Sequence, residues 1–389
     1  MATDIQLTIP MPLQVMVDDV GWWSGKDGSQ INQPFRTGMS RNHFSEDYAA
    51  LARLGKKLKM KILAGFVICE WDKFDILRKL PSATWMGTQW SMAGNRLEEK
   101  EKAAWIIKNA KENIEIGLHG VGHEFWINKR MNRAEFHNEH CEMRDRDVIR
   151  RHLEYFFKLM DQYKLAPMPS CFIPPALKHS FGNGDEGFQK LLNEFAIRYV
   201  ATRFKKARQF SKPIHPKITW ESGVMLVDRE KAVPAWNEMA CDPAFSFDGP
   251  ILTLHWPNLL HHDPGKNLQV VDRWVQFIKR GAEKKNFIFA PDIKTCLTQY
   301  FYKMFSKIKK AHKGFVIDLS WRKNIPPNIL GNSFWLRINK SSSIELQIFG
   351  AQPAVTQKKQ QTLLLEMTPE NGAKEIMLSC NDREDHFWS

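Results

Sequence analysis

The stretch NIEIGLHGVGH, residues 113–123, begins as an alternating apolar run and ends in two histidines that flank two glycines. The alternation predicts a β-strand, and the glycines predict a tight turn after it rather than a helix. Such a turn would bring the imidazoles of His119 and His123 to one side, which suits two ligands of a divalent metal ion. The alternative interpretation is a pair of polar residues in a solvated turn.

Two other apolar runs also end in side chains that can bind a metal ion or transfer a proton. Residues 12–17, PLQVMV, lead directly into Asp18 and Asp19, and residues 251–255, ILTLH, end in His255. In a parallel α/β architecture the C-terminal ends of the strands meet at one edge, where functional residues gather. We therefore expect the two acids and the three histidines to lie close together.

The rest of the first 310 residues alternates between short β-type runs and segments of helical period. Further strands are predicted at residues 61–67, 170–174, 197–202, 223–228 and 286–290, and helices at residues 45–60 and 147–160. This alternation predicts a parallel sheet or barrel with helices outside it, and the number of units favours a barrel.

A basic segment at residues 301–313 is interpreted as the solvated face of an amphipathic helix. The alternation of strand and helix patterns ends after it. Beyond it, β-like runs are separated by Pro, Gly, Ser and Asn. We therefore expect an α/β domain over residues 1–312 and a small all-β domain over residues 313–389.

Composition narrows the choice of partners and compartment. The chain has 389 residues, with 56 basic and 43 acidic side chains and a net charge of +13. This excess suits an acidic or phosphate-linked substrate, whereas no basic stripe interleaved with aromatic residues predicts nucleic-acid binding. No apolar run approaches the roughly 20 residues of a membrane helix, which leaves only peripheral membrane contact open.

Targeting signals and cysteine usage favour a cytoplasmic protein. The N-terminal residues lack a basic stretch followed by an apolar one, so they do not predict a secretory signal. The six cysteines include no CxxC pair, and reduced thiols are expected.

Four short motifs, in this order and spacing, resemble a known enzyme family. MVDDVG, LHGVGH, FIPPAL and LTLHW look like motifs of the metal-dependent polysaccharide deacetylases, carbohydrate esterase family four. The closest likeness is to a divergent branch with an LHG-type histidine motif and paired prolines. The resemblance covers roughly residues 10–300 and implies a distorted (β/α) barrel that hydrolyses acetyl groups from sugars.

The resemblance also implies roles for individual residues. Asp18 would be the general base, His255 the general acid, and Asp19, His119 and His123 the metal ligands. The predicted substrate contacts are Leu252 and Leu254, as the pocket for the acetyl methyl group, with Trp22, Pro174, Pro175 and His179. His261 and His262 are rival acids in the loop that follows. Zn²⁺ is the expected cofactor because two histidines and a carboxylate leave one position open, although other first-row metals suit the same ligands.

Three departures from the family pattern affect the expected pocket. The third motif, FIPPAL, lacks the arginine that orients the base in typical members, and Glu124 stands where a proline usually follows the second histidine. For the fourth motif, ITWESG with Trp220 and Glu221 is only a loose candidate.

The predicted function is hydrolysis of an N-acetyl or O-acetyl group on a sugar of a glycan or glycan precursor. A cytoplasmic location would place this step in surface polysaccharide biosynthesis. Two alternatives remain open: a metal-dependent deformylase or amidohydrolase acting on another small amide, and a non-catalytic glycan-binding protein of the deacetylase type.

Overall fold

Two compact units make up the chain. The computed structural model describes residues 5–229, 231–312, 314–340, 345–359 and 361–381. The larger unit comprises residues 13–285 and 289–293, and the smaller one residues 1–12, 286–288 and 294–389. These bounds differ from the division expected after residue 312, because an N-terminal strand and the last helix belong to the smaller unit.

The regular elements are numbered in chain order. The helices are α1 (Ser45–Leu58), α2 (Leu97–Asn109), α3 (Arg146–Gln162), α4 (Phe188–Glu194), α5 (Asn267–Lys284) and α6 (Ile293–Phe305). The strands up to residue 289 are β1 (Ile5–Thr8), β2 (Pro12–Val20), β3 (Ile62–Phe66), β4 (Ile114–Leu118), β5 (Phe125–Ile127), β6 (Arg130–Asn132), β7 (Cys171–Phe172), β8 (Ser180–Phe181), β9 (Tyr199–Thr202), β10 (Arg208–Gln209), β11 (Ile218–Glu221), β12 (Val224–Asp228), β13 (Ile251–His255) and β14 (Ile288–Phe289). The later strands are β15 (Lys307–Ala311), β16 (Gly314–Asp318), β17 (Phe334–Lys340), β18 (Glu345–Phe349), β19 (Ala351–Lys359), β20 (Thr362–Pro369) and β21 (Glu375–Asn381).

A nine-stranded sheet forms the centre of the larger unit. Its order is β11-β12-β9-β7-β4-β3-β2-β13, and β14 pairs with β2 beside this path. Every pair from β12 to β13 is parallel, whereas β11 is antiparallel to β12. The strands are almost entirely buried, and α1 packs against both α2 and α5. The predicted mixed α/β class, with strands that alternate with helices, is therefore confirmed.

The sheet curls strongly but stays open. Arg229, which directly follows β12, contacts Asp18 of β2 at 2.8 Å, although the two strands are five steps apart in the sheet. In a flat sheet, five steps of about 4.8 Å would separate them by roughly 24 Å, beyond the reach of an arginine. In the described part of the chain, β11 and β13 end the path and do not pair with each other. The result is a curled half-barrel.

A β-bulge interrupts β2 at the two acids. Met16 and Val17 are opposite Leu63 and Ala64, but the next pair is Val20 with Phe66, so β2 holds one extra residue there. Asp19 takes up this extra residue with a left-handed φ of 63°. The acids therefore lie inside a longer strand, not beyond the end of a short one as expected from the sequence.

The smaller unit is β-rich, as predicted. It contains two four-stranded antiparallel sheets, β1-β17-β20-β19 and β15-β16-β21-β18. Pairing of β1 with β17 explains why the N-terminal residues belong here. Tyr302 of α6 stacks on Phe334 at 4.1 Å, which places this helix in the same core. The predicted amphipathic helix at residues 301–313 is wrong beyond Phe305, because Lys307–Ala311 form strand β15.

None of the helices in the described ranges has the length and apolar character that a membrane span requires.

Candidate metal centre

A cavity of about 580 Å³ in the larger unit gathers the residues that the sequence singled out. Its lining includes Asp18 and Asp19 from β2, His119 and His123 from the turn after β4, and His255 at the end of β13. This volume falls within the range of small-molecule sites, about 300–1,000 Å³. The structure therefore brings all five predicted chemical residues to one place.

Three of these side chains have the spacing of a metal-ligand set. Nε2 of His119 lies 3.4 Å from Oδ1 of Asp19, and Nε2 of His123 lies 3.8 Å from the same oxygen. A tetrahedral ion with bonds of about 2.0–2.2 Å holds its ligand atoms roughly 3.3–3.6 Å apart. All three residues are buried, and their ligand atoms could hold a metal ion.

The orientation of His119 is fixed from behind. Its Nδ1 donates a hydrogen bond of 2.7 Å to the carbonyl oxygen of Ile173. This bond leaves the lone pair of Nε2 pointing towards Asp19, and metal-binding histidines commonly use the same arrangement. Ile173 therefore positions the imidazole even though its side chain takes no part.

The carboxylate of Glu135 holds the turn between the two histidines. It accepts hydrogen bonds of 3.0–3.1 Å from three consecutive backbone N–H groups, those of Val121, Gly122 and His123. It also accepts one of 2.7 Å from Nδ1 of His152. Sequence reasoning missed Glu135, since nothing in the spacing links it to a turn 12 residues earlier.

The two glycines of the turn are required by close packing. A Cβ on Gly120, whose φ is +120°, would lie 2.3 Å from a carboxylate oxygen of Glu135. A Cβ on Gly122 would lie 1.9 Å from the carbonyl oxygen of Ala83. The sequence prediction of a tight glycine turn is confirmed, with a physical reason for each glycine.

The shifted pKa values of Asp19 and His123 favour metal binding, whereas that of His119 opposes it. Burial acts to raise the pKa of Asp19, but the contact with His119 and the charges of His123, His119 and His255 outweigh it and hold that pKa well below its usual range. Burial lowers the pKa of His123, which favours the neutral imidazole. Burial acts in the same direction on His119, but the contact with Asp19 and the charges of Asp18 and Asp19 raise its pKa overall. A proton on His119 therefore competes with a cation.

Asp18 is paired with an arginine that the sequence motifs did not indicate. Nη1 of Arg229 lies 3.0 Å from Oδ1 and 2.8 Å from Oδ2 of Asp18, and both side chains are about 95% buried. The cation that holds this carboxylate thus comes from the end of β12 and not from FIPPAL. A cation directly after a predicted strand, at the edge where the acids gather, was the signal that could have found it.

His255 lies beside Asp18 in the sheet. The two residues are directly opposite in the pairing of β13 with β2. Its Nδ1 is buried without a hydrogen-bond partner among the described residues, as are Oγ1 of Thr253 and Nε of Arg229. All three residues line the cavity, although these three atoms are themselves buried.

Most of the predicted substrate contacts lie elsewhere. Leu252 and Leu254 are completely buried, and β13 presents Thr253 and His255 to the cavity instead, because alternate residues face opposite sides of a strand. Three further residues are buried away from the lining: Trp22, Pro175 and His179. Only Pro174 lines the cavity, with Ala176 and Leu177 from the same loop.

Other sequence candidates have structural explanations. Nε2 of His179 accepts a hydrogen bond of 2.8 Å from the Gln189 amide, and burial lowers the pKa of His179 to about 3. Glu221 accepts a hydrogen bond from the backbone of Gly182, so ITWESG provides no cavity residue. Glu124 is buried and binds Arg133 at 2.7 Å on the cavity lining.

Comparison with known proteins adds no family assignment: no family model matches this sequence, and no curated protein matches it. The resemblance to polysaccharide deacetylases therefore stays a prediction, and the geometry of the cavity has to support any function on its own.

Proposed function

We propose that this protein is a metal-dependent hydrolase that removes an acetyl group from the nitrogen or oxygen of a sugar in a glycan or glycan precursor. The observation that carries the proposal is a buried ligand set, Asp19, His119 and His123, beside a second carboxylate that an arginine holds in place. The curled half-barrel supports the finer proposal of a distorted (β/α) barrel of the polysaccharide deacetylase type.

The proposed cofactor is Zn²⁺, because two histidines and one carboxylate with an open position are typical of catalytic zinc sites. A divalent cation in this set would acidify a water molecule and polarise the acetyl carbonyl. The neighbouring protein groups would then do the proton transfers.

Asp18 is the proposed general base. It is adjacent to the ligand Asp19 along the chain and lines the same cavity, so it can reach a water molecule near the ligand set. Nη1 of Arg229 contacts both of its oxygens, which holds the carboxylate in a fixed orientation. A base held in this way takes the proton of the attacking water.

His255 is the proposed general acid. It lies on the strand next to Asp18, and its Nδ1 is not engaged by a described residue. It would give a proton to the leaving nitrogen or oxygen of the sugar. Asp18 and His255 thus face the reacting group from adjacent strands.

The two alternatives share the Arg229 contact, because this pair would also stabilise a non-catalytic glycan-binding protein. The preference for catalysis rests on the presence of the ligand set, Asp18 and His255 in one cavity. Hydrolysis of a formamide or another small amide would use the same groups. It remains the second candidate function because the cavity residues could act on any such amide bond. The cytoplasmic location and the role in surface polysaccharide biosynthesis remain predictions from the sequence.

The test is acetate release from a panel of N-acetylated and O-acetylated sugars by protein loaded with Zn²⁺, with formate release from formamides measured in parallel. His255→Ala should keep its metal and lose turnover, whereas His261→Ala and His262→Ala should keep both. Metal binding without release of either acid from any substrate would contradict the proposal and favour the binding protein.

A further inference from the structure

Three basic side chains line the cavity in addition to the proposed machinery. Arg203 directly follows β9, Lys206 ends the short 3-10 helix Phe204–Lys206, and Lys231 follows β12. No ion pair between described residues includes any of the three. Lys206 and Lys231 are exposed and Arg203 is half-buried, so their charges face the open part of the cavity.

The other charged residues of the lining are already balanced within the protein. Arg229 pairs with Asp18, and Arg133 pairs with Glu124 at 2.7 Å. Asp19 is the remaining carboxylate of the lining. The positive charge of a divalent cation bound by Asp19, His119 and His123 would exceed the negative charge of Asp19. The cavity therefore has a net positive charge that no described protein group offsets.

The strand register brings part of this charge together. Thr202 of β9 is opposite Asp228 of β12, and the backbone N–H of Arg229 donates a hydrogen bond of 2.8 Å to the carbonyl oxygen of Thr202. Arg203 and Arg229 thus extend from adjacent positions on neighbouring strands. Asp18 neutralises one of these arginines, and the other has no counterpart among the described ion pairs. Adjacent like charges are costly unless an anion compensates them.

We propose that the substrate carries an oxyanion, a phosphate ester or a carboxylate, which binds to Arg203, Lys206 and Lys231 while its acetyl group lies at Asp18 and the ligand set. This inference rests on the proposed function and specifies its substrate class. Cations that converge in a concave site raise the local concentration of an anionic ligand and form charge-assisted hydrogen bonds to it. The lining also includes a mostly apolar stretch, Val233 to Trp236, which would contact the uncharged part of the substrate.

The experiment compares three probes that share an acetamido sugar and differ in charge. They are N-acetylglucosamine 1-phosphate, N-acetylmuramic acid with its carboxylate, and the uncharged methyl glycoside of N-acetylglucosamine. Calorimetry on protein with and without Zn²⁺ measures the affinity of each. At least one charged probe should bind about tenfold more tightly than the methyl glycoside, a factor that corresponds to about 1.4 kcal/mol. The difference should shrink as salt is raised. The probe that binds more tightly identifies the anion.

Matched variants locate the effect. Arg203→Gln and Lys231→Gln should each lower the affinity for the charged probe by about tenfold and leave the methyl glycoside unchanged. Lys205→Gln is the control, because Lys205 is exposed on the same short helix as Lys206 but does not line the cavity. Lys231 is also exposed, so its substitution should not affect folding.

Equal affinity for charged and uncharged probes would overturn the inference, as would an equal loss in Lys205→Gln. These outcomes are separate from failure of the proposed function. A protein that hydrolyses all probes without regard to charge refutes only the anion site. A protein that binds the charged probe through Arg203 but never releases acetate refutes only the hydrolase.

Discussion

The two ends of strand β4 place polar groups in opposite electrostatic settings: His119 is buried and Glu115 is half-buried. At its C-terminal end, His119 joins Asp19, whose pKa is held low by the imidazoles around it. At its N-terminal end, the described hydrogen bonds to the Glu115 carboxyl come from neutral groups, the Ile293 N–H at 3.1 Å and the Ser170 hydroxyl at 3.2 Å. Burial raises the pKa of Glu115 to about 7, against an ordinary value of 4.5.

The difference shows what a buried carboxylate needs in order to stay charged. Hydrogen bonds alone do not prevent burial from raising the pKa of Glu115, and Asp292 adds to the rise. Asp18 has a guanidinium in contact and Asp19 has two imidazoles. These compensating groups lie at the C-terminal edge of the sheet, where the proposed chemistry requires the two carboxylates.

The largest expected effect is the loss of the metal ion when a ligand is changed. Asp19→Asn and His119→Ala should each weaken Zn²⁺ binding by more than about 100-fold, because even loss of a residue that only supports a ligand costs about 10–100-fold. Asn tolerates the left-handed backbone of Asp19, so the fold should remain. Calorimetry or elemental analysis measures the metal. Glu115→Gln, at the other end of the sheet, is the matched control and should bind Zn²⁺ normally. Full metal occupancy in both ligand variants would refute the assignment of the metal centre.

Next in size is the effect on turnover of neutralising the base. Asp18→Asn should retain its metal and lose about 10²–10⁴ in turnover, the usual contribution of a positioned general base. Acetate release measures the turnover and elemental analysis measures the retained metal, both on the same preparation. If this variant stays active or loses its metal, the roles assigned to the two adjacent acids are wrong.

A smaller effect, on stability, should follow when the buried pair is broken. Arg229→Met leaves Asp18 buried without its cation and should lower the free energy of unfolding by about 3–5 kcal/mol in the presence of EDTA. The double variant Asp18→Asn with Arg229→Met should recover part of this loss, because no uncompensated charge remains. Urea denaturation measures both, and an equal loss in the single and double variants would show that the pairing itself contributes little.

The smallest effect concerns pH and the opposite end of β4. Since the folded state raises the pKa of Glu115, this residue favours folding below pH 4.5, and its contribution is lost as pH rises through about 7. Over that interval the loss amounts to at most roughly 3 kcal/mol. Glu115→Gln cannot ionise, yet its amide can still accept from the Ile293 N–H and donate to Ser170.

The free energy of unfolding of Glu115→Gln minus that of the wild type should therefore be larger at pH 8 than at pH 5. Denaturation of both proteins at the two pH values measures this difference. Glu112→Gln is the control, since Glu112 is exposed three residues earlier. A stability difference between wild type and Glu115→Gln that does not change with pH would mean that Glu115 is not perturbed by burial, and the contrast between the two ends of β4 would disappear.

The sequence predicted the parts of this site that depend on local pattern. Alternation located the strands, and the glycines of residues 113–123 indicated a turn that brings His119 and His123 together. Placement of Asp18 and His255 at the same edge followed from the rule that parallel strands end together. The strands and the turn are set by residues within a few positions of one another, whereas the shared edge follows from the parallel arrangement of the strands.

Features that depend on tertiary pairing were not predicted. Arg229 is 211 residues away from Asp18, and only the curl of the sheet brings them together. Leu252 and Leu254 were placed in the pocket although the alternation of β13 points Thr253 there, because a single sequence does not say which face is inside. The helix predicted over residues 301–313 ended at Phe305, because pairing of β15 with β16 overrode the local pattern.

The single extra residue in β2 also determines how many sequence changes separate this site from a regular strand. Deleting one codon between Val17 and Val20 would restore a continuous ladder with β3, in which side chains alternate between the two faces. This deletion removes one of the two acids, so the pairing of the proposed ligand with the proposed base would be lost while the strand and its apolar neighbours remained. The reverse path is as short, since one inserted codon in a regular strand adds the second carboxylate. The step from a plain parallel sheet to a site with two adjacent acids is thus one insertion, without a change of fold.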